Sequence, residues 1–135
     1  MSIDFSKIPS PCFVLEERLL RQNLQLIRNV MDEAECQIIL ALKGFSMFSA
    51  FPIVKEYLPG ATASSLNEIR LINDYLGYQS HTYIPAYQDH DFDEVLVRSS
   101  HLTFNSLSQW ERFKERVKAF NEVNPQKTIS CGIRV

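Results

Sequence analysis

Short apolar runs alternate along the chain with longer stretches in which apolar residues recur at helical spacing. The run at 36–42 (Cys-Gln-Ile-Ile-Leu-Ala-Leu) is continuous and is typical of a strand buried on both faces. Weaker strands are predicted at 60–63, 82–84, 102–104 and 129–135, and a short extended segment at 11–15. From residue 36 onward the predicted order is therefore β-α-β-α-β-α-β-α-β.

The clearest helical pattern covers 16–33, where Leu20, Leu24, Ile27 and Met31 follow one another at spacings of 4, 3 and 4. Further helices are predicted at 46–58, 65–76 and 90–98, and after Ser106. Pro52 is expected to shorten or kink the first of these. The last helix is expected to turn five side chains inward: Leu107, Trp110, Phe113, Val117 and Phe120.

Two helix starts carry the pattern of a capping box. Ser65 with Glu68, and Ser106 with Gln109, place a hydroxyl three residues before a carboxylate or amide. In such a box each side chain accepts a backbone N–H that the first helical turn leaves free. Gly77 is a plausible C-cap for the helix that begins after Ser65.

Regular βα units predict an α/β fold with a parallel sheet and right-handed crossovers. An open doubly wound sheet and part of a (β/α)8 barrel both fit, and spacing alone does not separate them. A complete barrel needs roughly 200 residues or more, so 135 residues hold about half of one. Because the last apolar run ends at Val135 with no helix after it, we expect the chain to be the first part of a longer protein.

Charge and composition exclude several classes of partner. Fourteen Lys and Arg against sixteen Asp and Glu give a net charge of −2 with no basic block, so nucleic acid is not expected to bind. No apolar run is long enough for a bilayer, and the first five residues lack the regions of a signal peptide. An odd number of widely spaced cysteines (Cys12, Cys36 and Cys131) suits a reducing compartment and predicts a cytoplasmic protein.

No metal site is predicted. The chain contains no CxxC or HExxH pattern, and its histidines are scattered. His81, His90 and His101 are interpreted as turn residues rather than ligands.

Lys43 is the strongest catalytic candidate. It directly follows the run at 36–42 and precedes Gly44, so it lies at the carboxyl end of a strand, where α/β folds place their active sites. Partial desolvation there would lower the pKa of its ammonium and free a nucleophilic amine that condenses with aldehydes. Gly44 is expected to allow a sharp turn and the close approach of a flat ring. A lysine that merely extends to solvent at a strand end is the alternative.

Three further residues fall at the same predicted edge of the sheet. Ser65 and Glu68 open a helix after a strand; capping explains both, and ligand contact is the second interpretation. Arg134 lies between Ile133 and Val135 near the end of the last strand, where a buried charge needs a partner. A structural salt bridge and a role in the site are equally compatible with that position.

Several motifs resemble those of a known enzyme family, in order and in spacing. They are 9–15 (Pro-Ser-Pro-Cys-Phe-Val-Leu), 41–45 (Ala-Leu-Lys-Gly-Phe), 60–69 (Gly-Ala-Thr-Ala-Ser-Ser-Leu-Asn-Glu-Ile), 83–87 (Tyr-Ile-Pro-Ala-Tyr), 102–113 and 132–135 (Gly-Ile-Arg-Val). The chain is similar to the N-terminal part of the fold-type III pyridoxal-phosphate decarboxylases, which have alanine-racemase-like barrels. Within that group it resembles the carboxynorspermidine decarboxylases.

The resemblance implies a fold and site roles. The chain would be the N-terminal portion of a pyridoxal-phosphate-binding (β/α)8 barrel, cut after about five strands, without the rest of the barrel and the β-domain. Lys43 matches the lysine that binds pyridoxal 5'-phosphate, Ser65 and Glu68 match the rim after the next strand, and Arg134 matches an arginine beneath the cofactor. Ornithine-decarboxylase-like members carry an aspartate where this chain has Thr62, which argues against a basic amino acid as substrate.

The implied activity is the decarboxylation of a carboxylated polyamine, carboxynorspermidine or carboxyspermidine, in polyamine biosynthesis, by a homodimer. A diaminopimelate or arginine decarboxylase, a racemase, or a non-catalytic protein that binds pyridoxal phosphate are the alternatives. We expect the 135 residues alone to be inactive, because five strands cannot close a barrel, and to self-associate through the open edge.

Overall fold

A computed structural model describes residues 4–135. Residues 1–3, which belong to the N-terminal segment in which no signal peptide is predicted, lie outside the described residues. Within 4–135 no helix is both long enough and apolar enough to cross a membrane.

Five parallel strands form one sheet, and their spatial order is the same as their order in the chain. They are β1 (Leu40–Ala41), β2 (Ala61–Ala63), β3 (Ser80–Tyr83), β4 (Ser99–Phe104) and β5 (Ser130–Ile133). A doubly wound sheet changes direction at a switch point, whereas each strand here is added on the same side as the one before it. The order therefore favours the barrel alternative.

One helix precedes the first strand and four connect the strands, as the alternating pattern predicts. They are α1 (Glu17–Glu33), α2 (Phe51–Lys55) after a 3₁₀ turn at Phe48–Ala50, α3 (Leu66–Leu71) with a π-helical turn at Ile72–Leu76, α4 (Phe92–Arg98) and α5 (Leu107–Val123). Pro52 stands in the first turn of α2, so the helix predicted at 46–58 is shortened, as expected. The segment at 11–15 forms no strand of the sheet.

The helices cover only one face of the sheet. Along β2, β3 and β4 the side chains alternate between buried and more exposed positions, and the buried apolar ones of β2 and β4 pack with the helices. The largest buried side chains include Phe51, Phe92, Phe104 and Phe113. The opposite (inner) face is open, and its side chains are mostly polar. Three polar side chains of the strands are nevertheless buried on the helix-covered face, where they hydrogen-bond to one another: Ser80, Thr82 and Ser99.

The prediction of a long strand buried on both faces at 36–42 is wrong. Only Leu40 and Ala41 form β1, and the exposure of the segment ranges from buried at Leu42 to exposed at Ala41. The reason is that β1 has a neighbour on one side only and the helices cover one face of the sheet. Its pairing still extends beyond the strand, because the N–H of Leu42 donates to the carbonyl of Thr62 at 3.3 Å.

The apolar face predicted for α1 is confirmed. Leu24 and Met31 are buried in a separate cluster with Val54 and Leu58, and Leu20 and Ile27 pack against it. In α5, Phe113 and Val117 are buried and Trp110 and Phe120 partly so, but Leu107 is 68% exposed. Leu107 was therefore wrongly placed inward: it is the first residue of its helix and lies beyond the edge of the core.

Both capping boxes form, and both reach one residue further back than the sequence pattern suggests. The hydroxyls of Ser65 and Ser106 accept the N–H of Glu68 and Gln109 at 3.2 and 3.1 Å. In return, Gln109 accepts the N–H of Asn105 at 2.7 Å, one residue before the N-cap. Gly77 ends the π turn with a φ of 70°, as expected of a C-cap.

Candidate functional site

Lys43 lies in the turn that follows β1, at the carboxyl edge of the sheet, as predicted. The carbonyl of Ala41 accepts the N–H groups of Gly44 and Phe45 at 2.9 and 3.2 Å and so closes the turn. Gly44 does not have a positive φ, and a Cβ there would meet the Ala41 oxygen at an ordinary 3.5 Å. The sharp turn therefore does not require glycine.

The partial desolvation expected at Lys43 is not seen, because its side chain is exposed. The sheet around β1 is open on its inner face, so little of the chain covers the ammonium. Within residues 4–135 this ammonium makes no salt bridge or hydrogen bond. The amine is therefore available to a ligand.

A small cavity of about 110 Å³ brings Lys43 together with residues of β2 and β3. Its other lining residues are Ala41, Leu42, Thr62, Ala63, Ser64 and Tyr83. Ligand pockets usually measure about 300 to 1,000 Å³, so these residues form one wall of a site rather than a whole one. Thr62, the position that departs from the ornithine-decarboxylase-like pattern, supplies a hydroxyl to this wall.

A second cavity of about 240 Å³ lies on the inner face and shares Thr62 and Tyr83 with the first. The strand register aligns Thr62 with His81, His81 with His101, and His101 with Ser130. Barrel interiors are dominated by bulky aliphatic side chains, whereas this row is polar throughout. The inner wall below Lys43 therefore suits polar ligands or water.

His81 and His101 belong to this row, not to turns. Their rings stack with centroids 3.9 Å apart, His81 on β3 and His101 on β4. The turn interpretation is wrong for these two, whereas His90 does lie in a turn. Within residues 4–135 no group of three or more His, Cys, Asp or Glu side chains is arranged to hold a metal.

Burial, and next the neighbouring His101, lower the pKa of His81 below its ordinary value. As pH falls below about 6.5, the unfolded chain takes up a proton at His81 more readily than the folded protein does. The contribution of His81 to stability is therefore complete above about pH 6.5 and is lost as the pH falls further. We expect the urea midpoint to drop between about pH 7.5 and about pH 5.5, and the drop to shrink in His81→Asn. The matched variant His90→Asn should keep the full drop, and an unchanged drop in His81→Asn would contradict the prediction.

Glu68 and Ser65 lie at the carboxyl edge, where capping engages them. One carboxylate oxygen of Glu68 accepts both the N–H of Ser64 at 2.6 Å and its hydroxyl at 2.9 Å. Ser64, rather than Ser65, lines the Lys43 cavity. The capping interpretation is therefore confirmed, and Glu68 orders the loop that supplies one side of the cavity.

Arg134 comes directly after β5, and its backbone N–H donates to the carbonyl of Phe104 at 2.9 Å. Its side chain is exposed, so the prediction that its charge is buried is wrong, and its partner is a hydroxyl instead of the carboxylate of the salt-bridge alternative. Nη1 donates to the hydroxyl of Tyr83 at 2.7 Å, and that hydroxyl donates to Oδ1 of Asn105 at 2.7 Å. Arg134 thus reaches the residue that lines both cavities.

Sequence reasoning named Tyr83 only as part of a motif and did not place Ser64 or Thr62 in a site. All three lie on the edge that carries Lys43: Thr62 and Tyr83 near the ends of β2 and β3, and Ser64 directly after β2. The rule that selected Lys43, a polar residue at the carboxyl end of a strand, would also have selected them.

Comparison with known proteins places this arrangement in context. The chain is 45% identical over 130 residues to a carboxyaminopropylagmatine decarboxylase of Synechocystis sp.. The match covers 96% of the chain and 32% of that relative. It is 38% identical over 114 residues to a carboxynorspermidine/carboxyspermidine decarboxylase of Campylobacter jejuni, covering 84% of the chain and 30% of the relative. No protein-family profile matches it.

The fold has a solved counterpart. The crystal structure of carboxynorspermidine decarboxylase from Campylobacter jejuni in complex with norspermidine matches with a TM-score of 0.79 at 38% identity, over 82% of this chain and 30% of that one. The five parallel strands correspond to the N-terminal part of that barrel enzyme, which confirms the fold prediction. The chain spans about a third of the length of the curated relatives it matches.

Proposed function

Because the chain belongs to the carboxynorspermidine/carboxyspermidine decarboxylase family of polyamine biosynthesis, as a partial sequence, we propose that the whole protein removes CO2 from a carboxylated polyamine. The observation that supports this is the agreement of fold, sequence identity and the place of Lys43 at the carboxyl edge of the sheet. The chain accordingly forms the N-terminal portion of a barrel domain, and the rest of the barrel and a β-domain would come from elsewhere in the protein.

Pyridoxal 5'-phosphate is the cofactor we propose, and the described residues fit it. Lys43 offers an exposed primary amine without a partner in residues 4–135, and the small, exposed Ala41 beside it leaves room for a flat ring. Arg134 would contact an anionic group. Ser65 and Glu68 would contact the cofactor through the groups that capping does not use. These are the hydroxyl proton of Ser65 and Oε1 of Glu68.

When bound, this cofactor supplies an electron sink for the bond that loses CO2. The chain's own residues would hold and orient the cofactor and the substrate. Lys43 Nζ would hold the aldehyde group of the cofactor as a nucleophilic amine, and the same amine could hold a proton beside the reacting atoms. Arg134 presents positive charge to a carboxylate or phosphate. Thr62 and Ser64 line the cavity with hydroxyls.

Any carboxylate that pairs with the remote amines of a polyamine would come from outside these two cavities. None of the described residues that line them carries a carboxylate, the group that forms the strong charge-assisted hydrogen bonds with an ammonium. We therefore propose a homodimer whose sites are completed by later segments and by the partner subunit. We also propose a cytoplasmic location, consistent with three cysteines that form no disulfide within the described residues.

Carboxyaminopropylagmatine is a second candidate substrate, favoured by the higher identity of 45% to the Synechocystis relative. It differs from carboxyspermidine by ending in a guanidinium instead of an ammonium. Lys43 serves both equally, so residues outside the two cavities would decide between them.

A substrate screen tests the proposal. The protein produced from its whole gene should release CO2 from carboxynorspermidine, carboxyspermidine or carboxyaminopropylagmatine, and much more slowly from diaminopimelate or arginine. Faster release from either amino acid would point to one of the alternative decarboxylases. Binding of pyridoxal phosphate without CO2 release from any of these compounds would indicate the non-catalytic alternative.

A further inference from the structure

Tyr83 stands where the two cavities meet. It is the last residue of β3 and lines both the Lys43 cavity and the larger cavity on the inner face. Its ring is half-buried and its hydroxyl reaches the ends of two other strands. The side chain is therefore placed to link the carboxyl ends of β3, β4 and β5.

The direction of every hydrogen bond in this link is fixed by chemistry. A guanidinium has donors only, so the hydroxyl of Tyr83 accepts from Arg134 at 2.7 Å. The single phenolic proton then goes to Oδ1 of Asn105, also at 2.7 Å. Because the hydroxyl is engaged on both sides, it fixes the position of the guanidinium more firmly than a single contact would.

The charge of Arg134 differs from that of the other arginines. Within residues 4–135 each of the others forms a salt bridge with a carboxylate: Arg18, Arg21, Arg28, Arg70, Arg98, Arg112 and Arg116. Arg134 forms none there, and its guanidinium carbon lies 5.4 Å from the Tyr83 ring centroid. A neutral phenol thus holds this cation without neutralising it.

We propose that Tyr83 is a positioning residue: its hydroxyl, held by Asn105, keeps the uncompensated guanidinium of Arg134 at the rim of the Lys43 cavity. The inference rests on the proposed function, because that function brings anionic groups to this edge. A carboxylate in place of Tyr83 would hold Arg134 equally well but would cancel the charge that attracts those groups.

Chemical labelling tests the contact without any cofactor. In Tyr83→Phe the ring stays and the hydroxyl is lost, so phenylglyoxal should label Arg134 at least a few times faster than in the wild-type protein produced from its whole gene. Asn105→Ala should also speed the labelling of Arg134, but by less than Tyr83→Phe does. Tyr75→Phe, at an exposed tyrosine 4.9 Å from Phe48 between ring centroids, is the matched control and should not change the rate. Equal labelling in Tyr83→Phe and wild type would overturn the inference.

Cofactor affinity tests how the residue acts. Tyr83→Phe should weaken binding of pyridoxal 5'-phosphate, followed by absorbance, by about tenfold. The same change should have no added effect when Arg134 is already glutamine, because Tyr83 acts through Arg134. An undiminished effect in the Arg134→Gln background would overturn the inference. If no variant, the wild type included, binds the cofactor, the proposed function fails while the labelling experiment still decides the role of Tyr83.

Discussion

Replacing Lys43 with alanine is expected to lower the proposed decarboxylation rate of the whole protein by at least about 10³-fold, because it removes the amine that we propose as the nucleophile. Lys43 is the only lysine that lines either of the two cavities within residues 4–135. Steady-state CO2 release from the best substrate of the screen gives the rate, and absorbance with added pyridoxal phosphate gives cofactor capture. Both should be lost together in Lys43→Ala.

Two variants separate the amine from its charge. Lys43→Arg keeps a cation but has no nucleophilic amine, so it should be as inactive as Lys43→Ala. Lys118→Ala removes an exposed lysine of α5 and should leave the rate unchanged. Activity of Lys43→Ala within about tenfold of wild type would contradict the role. So would borohydride reduction of the wild-type protein with the cofactor if peptide mapping found the label at another residue.

The place of Lys43 could be predicted because it depends on one local rule. A polar residue directly after an apolar run lies at the carboxyl edge of a parallel sheet wherever the strand begins. The predicted place of Lys43 is therefore confirmed, although β1 contains only Leu40 and Ala41. The exposure of Lys43 could not be predicted in the same way, since it depends on what covers the inner face.

Helices with one apolar stripe were also predictable from local pattern. In α1 the residues Leu24 and Met31 are buried where the spacing places them, and in α5 Phe113 and Val117 are buried likewise. Leu107 fits the same spacing but lies in the first turn. The spacing identifies a helix face but does not show where the neighbouring core ends.

The pair of His81 and His101 shows what a linear pattern omits. Ser80 pairs with Ser99, but a register shift directly after Ser80 aligns His81 with His101 instead of Ser100. Without the bulge the two histidines would not share a row. Their stacking, like the contact of Tyr83 with Arg134, combines side chains from different strands and depends on a register that the sequence does not state.

Replacing Phe113 with alanine is expected to destabilise the fold by about 3–5 kcal/mol, the usual cost of removing a fully buried aromatic side chain. Phe113 is 1% exposed, stacks on Phe92 with ring centroids 4.1 Å apart and packs on the edge of Tyr87. These contacts join α5 to α4 and to the loop after β3. The empty space left by the lost ring would lie directly behind β4. Hydrogen exchange of the β4 amides should therefore accelerate by about a hundredfold or more.

Leu107→Ala is the matched control, because it removes a large apolar side chain from the same helix at a position that is 68% exposed. Its effect should stay within about 0.5 kcal/mol, as for most surface changes. The cap of α5 is a second source of stability that Phe113→Ala leaves intact, since Ser106 precedes the helix and Gln109 lies in its first turn, before Phe113. An equal loss of β4 protection in Phe113→Ala and Leu107→Ala would contradict the prediction that burial in the aromatic cluster sets the cost. Loss of protection in Phe113→Ala alone would instead show that this cluster holds the wall on which β4 and β5 present their polar row.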